Sequence, residues 1–166
     1  QIEEFAGTRL PIIRIMPNTP TGIGMGVIQY CANNLVSEEI LADWLNDMEF
    51  CGLVDALDEK LIDAASALSG SGPAYMYIFL EALADGAVAC GIPRAKALKY
   101  AAAAVAGAAR LALESGEHPG ALKDKVCSPG GSTIQGVRTL KNRAFRGAVM
   151  EAVIAAAGAS GDLGKK

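Results

Sequence analysis

Val126-Cys127-Ser128-Pro129-Gly130-Gly131-Ser132-Thr133-Ile134-Gln135-Gly136-Val137 breaks one helical pattern and starts another. A helical approach from Ala121 to Val126 stops at Pro129, two glycines free the backbone, and hydroxyls follow. Pro and Gly-Gly mark a turn, and Ser132 or Thr133 suits the N-cap of a helix running to about Asn142. A helix N-terminus carries orphan N–H donors and about half a positive charge, so such a turn is suited to an anion. No Lys or Arg lies within the turn, so backbone amides and hydroxyls would do the holding. That favours a small carboxylate over a polyphosphate. The plain alternative is a helix–loop–helix connection with a capping hydroxyl. Ser128 together with Gly130 to Thr133 is more small and hydroxylic chain than a cap requires.

Outside this stretch, 166 residues suit one domain, or one domain and the edge of another. Hydrophobic residues make up 51%, aromatics only 5%, and 27 of the 30 alanines follow Asp55. That composition favours closely packed helices for most of the chain. The net charge is −3 with no basic cluster, which argues against nucleic acid as a partner. Cys31, Cys51, Cys90 and Cys127 are widely spaced and there is a single histidine, so no metal site is expected. The cysteines are expected to be reduced, buried thiols of a cytoplasmic or mitochondrial protein. The uncharged runs Ile15–Ser37 and Ala64–Leu80 are interrupted by Pro and Gly, and neither reads as a membrane span.

The first third of the chain is mixed. Leu10 to Met16 reads as a buried strand closed by Pro17-Asn18-Thr19-Pro20, a turn forced by two prolines. Gly22-Ile-Gly-Met-Gly26 lacks the spacing of a dinucleotide fingerprint and precedes a strand, Val27 to Ala32, so it reads as a turn. Ser37 caps a helix to about Phe50, Gly52 ends it, and Leu53 to Leu57 is another strand. The domain boundary is placed near Asp58. Beyond it, a helix to Leu68 stops at Ser69-Gly-Ser-Gly72, and Pro73 opens a helix expected to be buried. Glu81 and Asp85, four apart, read as a solvated face sooner than as a catalytic carboxylate pair. Gly91-Ile-Pro93 opens a helix to about Glu114 with a small-residue seam at Leu98, Ala102, Val105, Ala109 and Ala112. His118 reads as a cap before Pro119. The last helix, from Ala144 to about Gly158, is apolar on several sides and needs a cover, which a partner subunit would provide.

The run from Leu122 to Leu140 resembles the signature of pyrroline-5-carboxylate reductases. Arg14-Ile-Met-Pro-Asn-Thr-Pro20 and Leu68-Ser-Gly-Ser-Gly-Pro-Ala-Tyr75 agree with that family in the same order. The resemblance implies a mostly α fold: an Ala-rich helical dimerisation bundle, residues 58–166, preceded by the C-terminal edge of a Rossmann-like α/β domain, residues 1–57. It implies reduction of 1-pyrroline-5-carboxylate to L-proline with NADPH or NADH, in a homodimer or higher homo-oligomer. The family's glycine-rich fingerprint belongs upstream of these motifs, so this stretch alone is expected to be inactive. Ser128, Gly130, Gly131, Ser132 and Thr133 are expected to bind substrate, with the Thr133 hydroxyl serving the ring nitrogen. Met16, Pro17, Asn18 and Thr19 are expected to face the cofactor. The rival readings are a helical dimerisation module without activity and a hydroxy-acid dehydrogenase of the same plan. The latter usually needs a Lys or His base, and none is evident.

Overall fold

The computed structural model describes residues 2–163, so the Lys165-Lys166 end lies outside the described residues. The chain divides into two compact units, Gln1–Pro73 with Val153–Lys166, and Ala74–Ala152. It is mostly helical with one small sheet.

The first unit holds α1 (Ile2–Ala6), β1 (Ile13–Met16), β2 (Gly26–Ala32), α2 (Glu38–Met48), β3 (Gly52–Ala56) and α3 (Glu59–Ser69). The strand order is β1-β2-β3, with β2 antiparallel to β1 and parallel to β3. A parallel step needs a crossover, and α2 supplies it. Ser37 caps α2 as expected, its hydroxyl accepting from the Ile40 N–H at 3.2 Å. The ring of Trp44 on α2 then meets Tyr30 of β2 edge-on at 5.0 Å. The core here is small. Ile28 of β2 and Ile62 and Ala67 of α3 are buried, and each isoleucine contributes about 1.5–3 kcal/mol on burial. β1 starts later than the expected Leu10, because Pro11 has no N–H for a ladder.

Two glycines set how closely β2 and β3 approach. Gly26 and Gly52 are register partners at the head of the two strands. Gly52 has φ +120°, and a Cβ there would stand 2.6 Å from the Gly26 nitrogen. A Cβ on Gly26 would stand 2.6 Å from the Thr21 Cα, in the 3-10 turn Thr19–Ile23. The Gly22–Gly26 run is therefore a turn feeding a strand, with Gly24 in the left-handed conformation at φ +70°.

The second unit holds most of α4 (Gly72–Ala89), all of α5 (Arg94–Ser115), α6 (Pro119–Val126) and α7 (Ser132–Asn142), and the start of α8 (Phe145–Leu163). The Tyr75 hydroxyl donates to the Ala152 carbonyl at 3.2 Å, and Phe79 meets Phe145 at 5.8 Å. Two expectations are corrected, for α4 and for the start of α8. α4 is not buried in the single chain: Ala84 alone is enclosed, while Ile78 is 66% exposed. On α5 the single chain covers Ala97 and Ala101 and leaves Leu98 and Ala102 of the seam exposed. Ala144 lies outside α8, in a left-handed turn at φ 54°. The exposure on α4 and α5 has one cause. These helices are apolar around most of their circumference, and one chain cannot cover every side.

Candidate functional site

The candidate residues fall in both units. Ser128 to Thr133 belong to the second and Met16 to Thr19 to the first.

In the second unit, α6 closes with the Cys127 N–H donating to the Asp124 carbonyl at 3.0 Å. The Gly131 N–H then donates to the Ser128 carbonyl at 3.1 Å. Pro129 sits second in that four-residue turn and Gly130 third with φ +68°, the pattern of a type II turn. The turn delivers Gly131 in an extended conformation, φ −70° and ψ 171°, as the N-cap of α7. This corrects the expected cap at Ser132 or Thr133. The turn finishes one residue earlier than a hydroxyl cap requires, and no side chain caps the helix.

The chemical consequence is direct. Gly131 has its amide engaged inside the turn. The N–H groups of Ser132, Thr133 and Ile134 head the helix, where no turn of helix precedes them to supply carbonyl acceptors. The first turn of α7 carries no acidic residue, so nothing there opposes an anion. The Thr133 side chain is half-buried and makes no hydrogen bond among the described residues. Ser128 and Ser132 are exposed. At the end of α6 the Asp124 carboxyl is held below its usual range, first by its hydrogen bond to Lys123 and then by that residue's charge. Lys125 is paired with Glu117 at 2.6 Å. Three amides and one hydroxyl, with no carboxylate in the first turn of α7, are groups able to hydrogen-bond a small anion.

In the first unit, β1 ends at Met16, and Pro17 and Thr19 are exposed. Asn18 is half-buried, and its amide is used within the protein. Its Oδ1 accepts from the Val27 N–H at 2.9 Å, and its Nδ2 donates to the Ser69 carbonyl at 3.0 Å. The turn thus offers backbone, the apolar ring of Pro17 and the Thr19 hydroxyl beyond a strand C-terminus. Ligands gather at that position in open α/β sheets. Sequence reasoning missed Gln29, a buried polar side chain whose Oε1 accepts from the Ser69 hydroxyl at 3.1 Å. The available signal was a lone amide inside the apolar run Gly26–Ala32. It also missed Arg14, which pairs with Asp63 at 2.8 Å and Glu59 at 3.3 Å.

Several plainer readings hold. His118 caps α6, its Nδ1 accepting from the Gly120 N–H at 3.0 Å. Asp85 pairs with Arg94 at 2.5 Å, as a solvated face would. The cysteines are all free, but they are not uniformly buried: Cys51 is buried, Cys31 and Cys127 are half-buried, and Cys90 is exposed. Aliphatic and small neighbours do not oblige a thiol at a helix end to be covered. Among the described residues no three His, Cys, Asp or Glu side chains gather to hold a metal ion. None of their helices is long and apolar enough to cross a membrane. A groove of about 1160 Å³ in the first unit is lined by Arg14, Cys31, Asn33 and Asp63 among others, and holds none of the expected site residues.

Comparison with known proteins gives this geometry a lineage. A family profile described as pyrroline-5-carboxylate reductase dimerisation matches residues 59–163. The pyrroline-5-carboxylate reductase of Escherichia coli (strain K12) is 49% identical over 153 residues, covering 92% of this chain and 57% of that protein. The Glycine max enzyme is 45% identical over 165 residues, covering 98% and 59%. Among solved structures, a pyrroline-5-carboxylate reductase from Coxiella burnetii superposes with a TM-score of 0.91 at 35% identity, over 98% of this chain and 60% of that one. The Plasmodium falciparum pyrroline carboxylate reductase, solved with NADP bound, gives 0.87 at 35% identity, over 96% and 63%. The chain therefore spans roughly three-fifths of the length of these relatives. On the match through residues 59–163, the chain belongs to the pyrroline-5-carboxylate reductase family.

Proposed function

We propose that the protein containing this chain reduces 1-pyrroline-5-carboxylate to L-proline with NADPH or NADH. Residues 1–57 would serve as the edge of a nucleotide-binding domain and 58–166 as a dimerisation and substrate-binding domain. The observation that carries this reading is the head of α7: free amides at Ser132, Thr133 and Ile134, with the Thr133 hydroxyl beside them. Reduction of a cyclic imine acid needs its carboxylate anchored, its ring nitrogen hydrogen-bonded, and a hydride source against the ring face. Hydrogen bonds to a charged group contribute about 1.5–3 kcal/mol each, so three amides suffice to seat a carboxylate. Ser128 and Gly130 shape the turn that presents them. The Thr133 hydroxyl hydrogen-bonds the ring nitrogen, directly or through a water, and orients it; the proton the nitrogen gains comes from bulk solvent, since an alcohol is too weak an acid to be its origin. A nicotinamide cofactor, when bound, would supply the hydride the imine carbon needs, with Met16, Pro17, Asn18 and Thr19 forming the edge of its site. The glycine-rich turn that would seat the pyrophosphate is not in this sequence.

We also infer a homo-oligomer. Ile78 of α4 is 66% exposed and Met150 of α8 is 64% exposed, apolar side chains that a second copy would cover. Four free cysteines support a reducing compartment, cytoplasmic or mitochondrial.

The deciding experiment follows two reactions of the full-length protein: NADPH oxidation with pyrroline-5-carboxylate and, separately, NADP reduction with a series of 2-hydroxy acids. Turnover of the imine acid alone is expected. Turnover of a hydroxy acid instead would replace this reading, and activity of residues 1–166 alone would overturn the assignment of this stretch as only an edge of the cofactor site.

A further inference from the structure

The Asn18 side chain spans a long way for a turn residue. Its two bonds reach Val27 at the start of β2 and Ser69 at the end of α3, 51 residues along the chain. The local turn is served without them, because the Asn18 backbone carbonyl already accepts from the Thr21 N–H at 3.1 Å. Ser69 closes α3, so its carbonyl is one of the orphan acceptors of a helix C-terminus, and Asn18 satisfies it. The Ser69 hydroxyl lies 3.1 Å from Gln29 Oε1 and 3.0 Å from the Ala65 carbonyl, with one proton to give. The next residue is tightly seated as well. A Cβ on Gly70 would stand 2.8 Å from the Ser66 carbonyl and 3.4 Å from the Met16 Cε. Met16, Asn18, Ser69 and Gly70 are thus one joined piece of the first unit. It unites two stretches, Pro17–Pro20 and Ser69–Gly72, that the sequence leaves far apart.

We infer that Asn18 is a positioning residue, whose amide fixes the Ser69–Gly72 stretch against the end of β1, and is not itself a contact of the dinucleotide. This rests on the proposal that residues 16–19 edge the cofactor site. Its carboxamide oxygen and one amide hydrogen are committed within the protein. What the turn presents outward is its backbone with the side chains of Pro17 and Thr19, and Asn18 sets where they stand. Misplacing a reacting partner by about 1 Å costs up to a hundredfold in rate, so the effect should appear in turnover and not in dinucleotide affinity.

The test uses the full-length protein with Asn18→Ala, which removes both bonds. It also uses Asn18→Asp, which keeps an acceptor for the Val27 N–H but turns an oxygen toward the Ser69 carbonyl. Three quantities are measured: hydrogen–deuterium exchange of residues 66–73, the NADPH dissociation constant, and kcat and KM for pyrroline-5-carboxylate. In Asn18→Asp, exchange at Gly70 and Ser71, whose amides both bond to the Ser66 carbonyl, should rise at least fivefold. NADPH affinity should stay within twofold, and kcat should fall about tenfold. The same pattern, deeper, is expected for Asn18→Ala; should that variant not fold, Asn18→Asp decides alone. Tenfold weaker NADPH binding with unchanged exchange would make Asn18 a cofactor contact and overturn the inference. Faster exchange with unaltered kcat would reduce it to a structural tie and overturn it equally. A parent protein without reductase activity would refute the proposed reaction, while unchanged exchange in Asn18→Asp would still refute the clamp.

Discussion

The Ser128 hydroxyl occupies the space in which a Cβ on Gly131 would have to stand. Gly131 has an ordinary negative φ, so this glycine is required by contact and not by backbone conformation. Gly131→Ala forces the hydroxyl to rotate away and presses on the Ser128 carbonyl, 3.2 Å from the new atom. The hydroxyl is exposed and can turn away, so the cost falls at the low end of overpacking, about 1 kcal/mol. Adding Ser128→Ala removes the oxygen and leaves a Cβ at an ordinary 3.6 Å. We predict that Gly131→Ala lowers the denaturation midpoint and that the double variant recovers more than half of the loss. Additive effects would show that the two residues do not compete for that space.

Cys31 titrates above the usual range of a thiol. Desolvation is the main cause, the Glu59 charge adds to it, and Arg14 opposes it. Raising a thiol pKa disfavours the thiolate, so Cys31 should alkylate with iodoacetamide more slowly at pH 8 than an unstructured cysteine. Arg14→Gln removes the opposing charge and should slow it further. The linked stability has a definite sign: it is complete below the unfolded thiol's pKa, about 8.5, and is lost as the pH rises through the folded value. Faster labelling in Arg14→Gln would reverse the electrostatic assignment.

Ala144 stands in a left-handed turn between α7 and α8. For a residue with a Cβ that conformation costs about 1–2 kcal/mol, and glycine escapes it at the expense of a more flexible unfolded chain. We predict that Ala144→Gly stabilises the folded protein by about 0.5–1 kcal/mol net of those two effects. A lower thermal midpoint in Ala144→Gly would contradict it.

What was legible in the sequence is tied to local chemistry. Ser37, Asp58 and His118 each announce a helix start, and each side chain accepts from a backbone N–H two or three residues ahead. Pro129 and Gly130 announce the turn before α7 in the same way. The expectations that the structure changes are partly local and partly non-local. Periodicity on α5 drew a seam through Leu98 and Ala102, while within the single chain the covered positions are the neighbouring Ala97 and Ala101. In an alanine-rich helix every face looks alike, and only a neighbour decides which is covered. Asn18 read as turn chemistry because nothing near it in sequence reveals Ser69. Ser132 and Thr133 read as caps because a hydroxyl suits that place by type, whereas the Pro129-Gly130 turn closes at Gly131 and makes it the cap.

The exposed faces of α4 and α5 lead to a prediction about assembly. Ile78 is 66% exposed in the single chain. Ile78→Glu should therefore leave an isolated protomer's stability within about 0.5 kcal/mol. In a homo-oligomer that covers α4 the same change buries an unpaired carboxylate, at several kcal/mol. We expect sedimentation to show the parent as a dimer or larger at micromolar concentration and Ile78→Glu shifted toward monomer. A parent that sediments as a folded monomer, indifferent to Ile78→Glu, would refute the oligomer.

Ser132 provides the cleanest separation of chemistry from architecture at the proposed substrate seat. It is the first residue of α7, and Gly131 before it is already extended. Proline is welcome at the first helical position, since its fixed φ suits the helix and its missing N–H was an orphan. The extended Gly131 also meets the restriction that proline places on its predecessor. Ser132→Pro should therefore fold as well as the parent while removing one amide from the anion seat. Losing one hydrogen bond to a carboxylate, about 1.5–3 kcal/mol, should raise KM for pyrroline-5-carboxylate roughly ten- to a hundredfold, with Ser132→Ala as the control for the hydroxyl. Thr133→Val probes the neighbouring group by the opposite signature. It keeps shape and amide but loses the hydroxyl, so an interaction made in the transition state should lower kcat and kcat/KM together, by about ten- to a thousandfold. If Ser132→Pro leaves KM unchanged, the carboxylate is not held by the head of α7. If Thr133→Val leaves kcat unchanged, the ring nitrogen is served by Ser128, by Ser132 or by water.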